Sequence, residues 1–225
     1  GGLGDHAGPV GDVEADVEGG RGVADRKQPA LVLIGEEAAV AGRVVDGAGG
    51  LDAQMHKLSA QPVAPVFGPD IEPFEFAPRG IVLSGGPESV HAEDGPQAPP
   101  ICFELNVPVL GICYGLHTMA AQLGGKVEAS SHREFGYAEI EPGDSGLLGG
   151  LSDTESGPPL LKVWMSHGDH IHELPSSYEI IGHTANADVA AVRHIDKPIY
   201  GVQFHPEVTH TRQGQRIIER FVHDI

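Results

Sequence analysis

Residues 107–125 read "VPVLGICYGLHTMAAQLGG". An apolar run from Val107 to Ile112 leads directly into Cys113, with glycines at 111 and 115 on either side. A helical pattern then starts at once: Leu116, Met119, Ala120 and Leu123 share one face, and Gly124-Gly125 ends it. Similar signals recur from Ala77 onward. "GIVLSGGP" (80–87), "PLLKVWM" (159–165), "YEIIGHT" (178–184) and "PIYGVQF" (198–204) read as strands. Ile217, Ile218, Phe221 and Val222 give a closing helix one apolar face. Alternating strand and helix signals of this kind suggest an α/β fold.

A thiol between a buried strand and a helix has a chemical reading. Strand, Gly-Ile-Cys-Tyr-Gly, helix is a nucleophile elbow in which Cys replaces the commoner Ser. The flanking glycines allow a sharp turn, and the helix N-terminus favours thiolate over thiol. The backbone N–H of Tyr114 is then placed to stabilise an oxyanion, and the Gly85-Gly86 turn offers a second donor. On the bland reading Cys113 is a small buried residue, and Gly-Gly-Pro an ordinary turn. A thiol nucleophile also needs a base, and the base an orienting group. "YGVQFHPEVTHT" (200–211) supplies His205 and Glu207 just beyond a strand, with Pro206 stiffening the backbone between them. With 13 histidines in the chain, one histidine alone carries little, but His-Pro-Glu beside a cysteine elbow carries much more.

Composition divides the chain. Residues 1–58 lack Ser, Thr, Asn, Tyr, Phe, Trp and Cys, and the first 29 show no apolar period, which reads as disorder. "ALVLIG" (30–35) reads as a short strand and "EEAAVAGRVVD" (36–46) as a short helix. Two origins fit the bias: a low-complexity tail, or a GC-rich gene read in another frame, since nearly every residue type before about 66 has a codon starting with G or C. Residues 1–75 are therefore set apart as an atypical segment, and 76–225 as the working domain. The net charge of −18 argues against a nucleic-acid partner and an anionic membrane surface. No apolar run approaches the ~18 residues of a membrane span, and no signal peptide is expected. Two cysteines make no disulfide framework, which favours a reducing, cytoplasmic setting.

With these residues in hand, the chain resembles the class I glutamine amidotransferases, and within them the glutaminase domain of the GMP synthase branch. The resemblance covers about Glu75 to Ile225. It rests on "GIVLSGGPESV", "GICYG…MAAQLGGKVEAS", "REFGYAEIE", "WMSHGDHI" and "GVQFHPEVTHTRQGQRIIERFVHDI". It implies an open, mostly parallel, flavodoxin-like sheet flanked by helices. It implies Cys113 as nucleophile, His205 as base and Glu207 as its orienting carboxylate, with a γ-glutamyl thioester on the path. Gly86 and Tyr114 would form the oxyanion hole. His117, Ser131, Ser166, His167 and Asp169 fall in the substrate region; Asp169 also reads as a plain turn residue. Glutamine is the implied substrate, and the glutaminase step needs no cofactor or metal. ATP and Mg belong to a synthase domain or chain, an ATP pyrophosphatase that aminates XMP and that these 225 residues do not contain.

Three departures stand out. His117 occupies a position where the family usually has Gln, and Ser131 one where it often has a larger polar residue. The family's first strand with its "DFGSQ"-like turn is missing, which should leave a sheet edge unpaired. The alternative is therefore a catalytically impaired amidotransferase-like module; another triad amidotransferase or a γ-glutamyl hydrolase stays open within the enzyme class. Cys102 reads as a packed helix residue. His167, His170 and His172 lack a Cys or carboxylate at zinc spacing, so no metal is expected there.

Overall fold

The computed structural model describes residues 78–86, 89–92, 95, 97–143 (130–133 as backbone only), 146–185 and 187–225, with the backbone of two upstream strands. Those are β1 (Leu31–Ile34) and β2 (Val40–Gly42), followed by β3 (Gly80–Leu83) and β4 (Val109–Ile112). Helix α1 (Tyr114–Gln122) leads to two long strands, β5 (Lys126–Pro142) and β6 (Leu161–Glu173). Then come β7 (Tyr178–His183), β8 (Ala191–His194), β9 (Ile199–Val202) and α2 (Gly214–His223). One sheet runs in the order β2-β1-β3-β4-β9-β8-β7-β5-β6.

Both faces of its centre are covered, which is why β3 and β4 are apolar without interruption. Strand alternation sends Val82, Leu110, Ile112 and Val202 to one side, against Ile217, Ile218 and Phe221 of α2. Ile81, Leu83, Val109 and Ile199 go to the other side, against Leu116, Met119 and Ala120 of α1. Contact between α1 and β3 is backbone to side-chain-free backbone: a Cβ on Gly115 would stand 2.0 Å from the carbonyl oxygen of Leu83. Only glycine fits there.

Three expectations need correction. The sheet is mixed rather than mostly parallel: β3–β4 and β4–β9 are parallel, and the other neighbours are antiparallel. Parallel neighbours need long crossovers, whereas from β6 to β9 the chain turns back through connections of a few residues. The expected edge at β3 is paired, because Leu31–Ile34 lies antiparallel to it with Val32 opposite Val82. The short helix expected over 36–46 contains a strand instead. Val40–Gly42 folds back on β1, pairing Ile34 with Val40, and edge pairing overrides the Ala-rich helical preference. Residues 1–30, 35–39 and 43–77 lie outside the described residues. No helix among the described residues is long and apolar enough to cross a membrane.

Candidate active site

Cys113 sits where β4 becomes α1, with φ 51° and ψ −108°. A positive φ on a residue with a Cβ costs about 1–3 kcal/mol and persists only where the surroundings impose it. Those surroundings are visible. The Cys113 N–H donates to the Val202 carbonyl of β9 at 2.8 Å, and its own carbonyl accepts the N–H groups of Leu116 and His117 at 3.0 and 3.1 Å. The sulfur is buried and lies 3.4 Å from the carbonyl oxygen of Ser166.

His205 follows β9 by three residues and is fastened to β6. Its N–H donates to the Trp164 carbonyl at 3.0 Å. The Thr211 hydroxyl donates to the His205 carbonyl at 2.6 Å and accepts the Trp164 N–H at 3.1 Å. The imidazole Nδ1 donates to Glu207 Oε1 at 2.6 Å, and Glu207 is itself buried. Burial alone would lower the pKa of this ring. Hydrogen bonding and charge from Cys113 and Glu207 outweigh burial and push it up to about 10, so the ring is protonated at neutral pH.

The turn after β3 closes the arrangement. A Cβ built on Gly85 would lie 2.9 Å from His205 Cε1 and 3.5 Å from Cys113 Cβ, so both side chains border one small space. Gly86 is next along the turn, and a Cβ there would come to 4.0 Å from Tyr114 Cβ. The structure thus brings Cys113, His205, Glu207, Gly86 and Tyr114 into one neighbourhood. A thiol and an imidazole held by a carboxylate are the components of nucleophilic acyl chemistry.

The remaining site candidates divide. Asp169 lies within β6 rather than in a turn; it is buried, and its Oδ2 has no hydrogen-bond partner among the described residues. His167 is buried on the same face of β6 and donates from Nδ1 to the Asp169 carbonyl at 2.9 Å. Burial is the main cause of its lowered pKa. His117 is also buried, edge-on to His167 with ring centroids 6.3 Å apart, and its Nε2 is bound to Gln203 Oε1 at 2.6 Å. Ser166 contributes its carbonyl, while the Ser131 side chain lies outside the described residues.

Sequence reasoning missed Gln203 and Thr211. Gln203 is a polar residue at the end of an apolar strand, and that misfit was its available signal. Thr211 gave none, because its hydroxyl acts on positions 6 and 47 residues away. Cys102 is in a short 3-10 turn, Pro100–Phe103, buried, with burial raising its thiol to about 11. Both cysteines are free.

Comparison with known proteins agrees with this geometry. Residues 55–225 match the glutamine amidotransferase class-I family. The GMP synthase [glutamine-hydrolyzing] of Klebsiella pneumoniae is 56% identical over 154 residues, which is 67% of this chain and 29% of that protein. That of Methylococcus capsulatus is 59% identical over 151 residues, 66% of this chain and 29% of that one. The chain therefore spans under a third of the length of these curated relatives. Among solved structures, a protein from Thermoplasma acidophilum assigned as one subunit of a GMP synthase superposes with TM-score 0.62 at 27% identity, covering 81% of this chain and 89% of that one. A glutamine amidotransferase from Thermotoga maritima shares the fold, with TM-score 0.55 at 21% identity over 81% of this chain and 79% of that one. A family match over most of the chain, on a sheet like theirs, leaves one conclusion: the chain belongs to the class I glutamine amidotransferases.

Proposed function

We propose that this chain hydrolyses the side-chain amide of glutamine and delivers the ammonia to a synthase unit that aminates XMP. The observation that carries the reading is the convergence of Cys113 and His205 on the space beside Gly85, with His205 held by Glu207. The strained turn at Cys113 acts as a nucleophile elbow. His205 has already taken the thiol proton in the resting enzyme, forming an imidazolium–thiolate pair with Cys113, and the sulfur attacks the amide carbon. The oxyanion is met by the N–H groups of Gly86 and Tyr114. The C–N bond breaks as His205 returns the proton to the departing ammonia, leaving a γ-glutamyl thioester. Water then attacks, His205 accepts its proton, and glutamate leaves as the imidazolium–thiolate pair is restored.

Asp169 supports recognition of the substrate. A buried carboxylate oxygen with no partner is costly unless a cation meets it, and the α-ammonium of glutamine is such a cation. Ser166, His167 and Ser131 complete the substrate region, with His117 behind them. The glutaminase step uses no cofactor; ATP and Mg²⁺ belong to the synthase unit, carried by a longer chain or a second one. Residues 76–225 form the amidotransferase unit on this reading, in a reducing, cytoplasmic setting.

Glutamate release from glutamine tests it. Cys113→Ala should lower the rate by at least about 10³-fold, and Glu207→Gln by roughly 10²–10⁴-fold. A wild-type chain that releases glutamate no faster than Cys113→Ala would overturn the reading and favour an impaired module.

A further inference from the structure

The carboxylates that flank His170 and His172 in the sequence do not serve them, since Asp169 is on the opposite face of β6 and Glu173 is paired with Lys126; the β5–β6 pairing supplies another. Glu128 of β5 lies directly opposite His170 of β6, in an antiparallel register. Strand alternation puts His170 and His172 on the same face, the outer one, with Ile171 turned inward. A ligand atom of each of Glu128, His170 and His172 lies within 4.8 Å of the other two, and His172 Nδ1 is 3.8 Å from Glu128 Oε2. His170 Nδ1 is buried and has no hydrogen-bond partner among the described residues. The nearby Lys126 is committed to Glu173 by an ion pair, so the two carboxylates and one ammonium leave a net negative charge around the cluster.

We propose that Glu128, His170 and His172 bind a first-row divalent metal ion, with Zn²⁺ the best match. Two imidazole nitrogens and one carboxylate oxygen suit zinc and its neighbours, whereas Mg²⁺ and Ca²⁺ take oxygen ligands throughout. Three protein ligands and a water complete a tetrahedron whose ligand atoms lie about 3.4 Å apart, given bonds of about 2.1 Å. Closing from the present separations asks for ~1 Å of movement. His172 and Glu128 are free to make it, being 58% and 54% exposed. The ion would tie β5 to β6 on the reverse side of the strand that carries Asp169. This site is separate from the reaction: its histidines lie on the face of β6 opposite His167 and Asp169, and its occupancy does not depend on the proposed activity.

Equilibrium dialysis of the full chain against Zn²⁺, with thermal midpoints measured alongside, tests the site. One Zn²⁺ should bind per chain and raise the midpoint, because a ligand that prefers the folded state stabilises it. Loss of a mere outer partner of a metal ligand already weakens binding about 10–100-fold. His172→Asn and Glu128→Gln, which remove direct ligands, should each do at least that and abolish the zinc-dependent rise. His183→Asn removes another exposed His–Glu pair, 3.6 Å from Glu141, and should change nothing. Absence of saturable binding to wild type overturns the proposal. So does affinity unchanged in both ligand variants, or lost on His183→Asn, since the chain has 13 histidines that could bind elsewhere.

Discussion

His117 is a buried histidine whose side chain has one hydrogen-bond partner among the described residues, Gln203, and its ionisation follows from that. Burial is the largest influence and lowers its pKa to about 4; the hydrogen bond to Gln203 opposes this without cancelling it. Above the ordinary histidine pKa of about 6.5 the ring is neutral whether the chain is folded or not. Between about 6.5 and 4 the unfolded chain binds a proton that the folded one refuses, so stability falls as pH falls through that window. His117→Gln, which cannot titrate, should lose less stability than wild type between pH 7 and pH 4 in urea unfolding; parallel pH profiles would refute this. Cys113, His205 and Glu207 were legible as candidates because each belongs to a short local pattern. The His117–Gln203 pair was not. Its members are 86 residues apart and meet only because β4 and β9 are neighbours.

At the level of elements, the turn after β3 carries two adjacent glycines with different surroundings. A methyl group at 85 would press on His205, whereas at 86 it would reach only van der Waals contact with Tyr114. Gly85→Ala should therefore lower kcat for the proposed glutamine hydrolysis by about 10²-fold, the usual penalty for an ångström of misplacement. Gly86→Ala keeps its backbone N–H and should stay within a few fold of wild type. Steady-state kinetics on the two variants check the contrast, and equal effects would show that the turn as a whole, not the wedge at 85, matters. Helices α1 and α2 were legible from their apolar faces. The β5–β6 ribbon was legible only in part, because Asp169 also reads as a turn residue and β5 mixes charge, glycine and serine. Cross-strand pairing over a long ribbon overrode those weak local preferences. Strand β8 is four residues long, too short to show a period.

Across the whole molecule, the pairing of β1 decides how the sheet is finished. The Ile81 N–H donates to Pro108 on the β4 side at 2.8 Å, and strand geometry turns the next amide, that of Val82, toward β1. Hydrogen exchange resolved by residue should find both amides slow in the wild type. Val32→Pro should hasten exchange at Val82 while leaving Ile81 protected. Rapid exchange at Val82 in the unaltered protein would mean that β3 has an open edge. Apolar strands around the centre showed that both faces are covered, but direction was hidden: β7, β8 and β9 look alike whether neighbours run together or opposed.

The torsion angles at Cys113 have a consequence for how such a protein ages and fails. Its unfavourable twist is held by anchors on three sides, the Val202 carbonyl, the first turn of α1 and the Leu83 backbone against Gly115. Slackening any one of them lets the residue relax into an easier shape while the rest of the sheet stays assembled. Chemistry would then be the first casualty of heat or mutation, with a well-folded but silent molecule left behind.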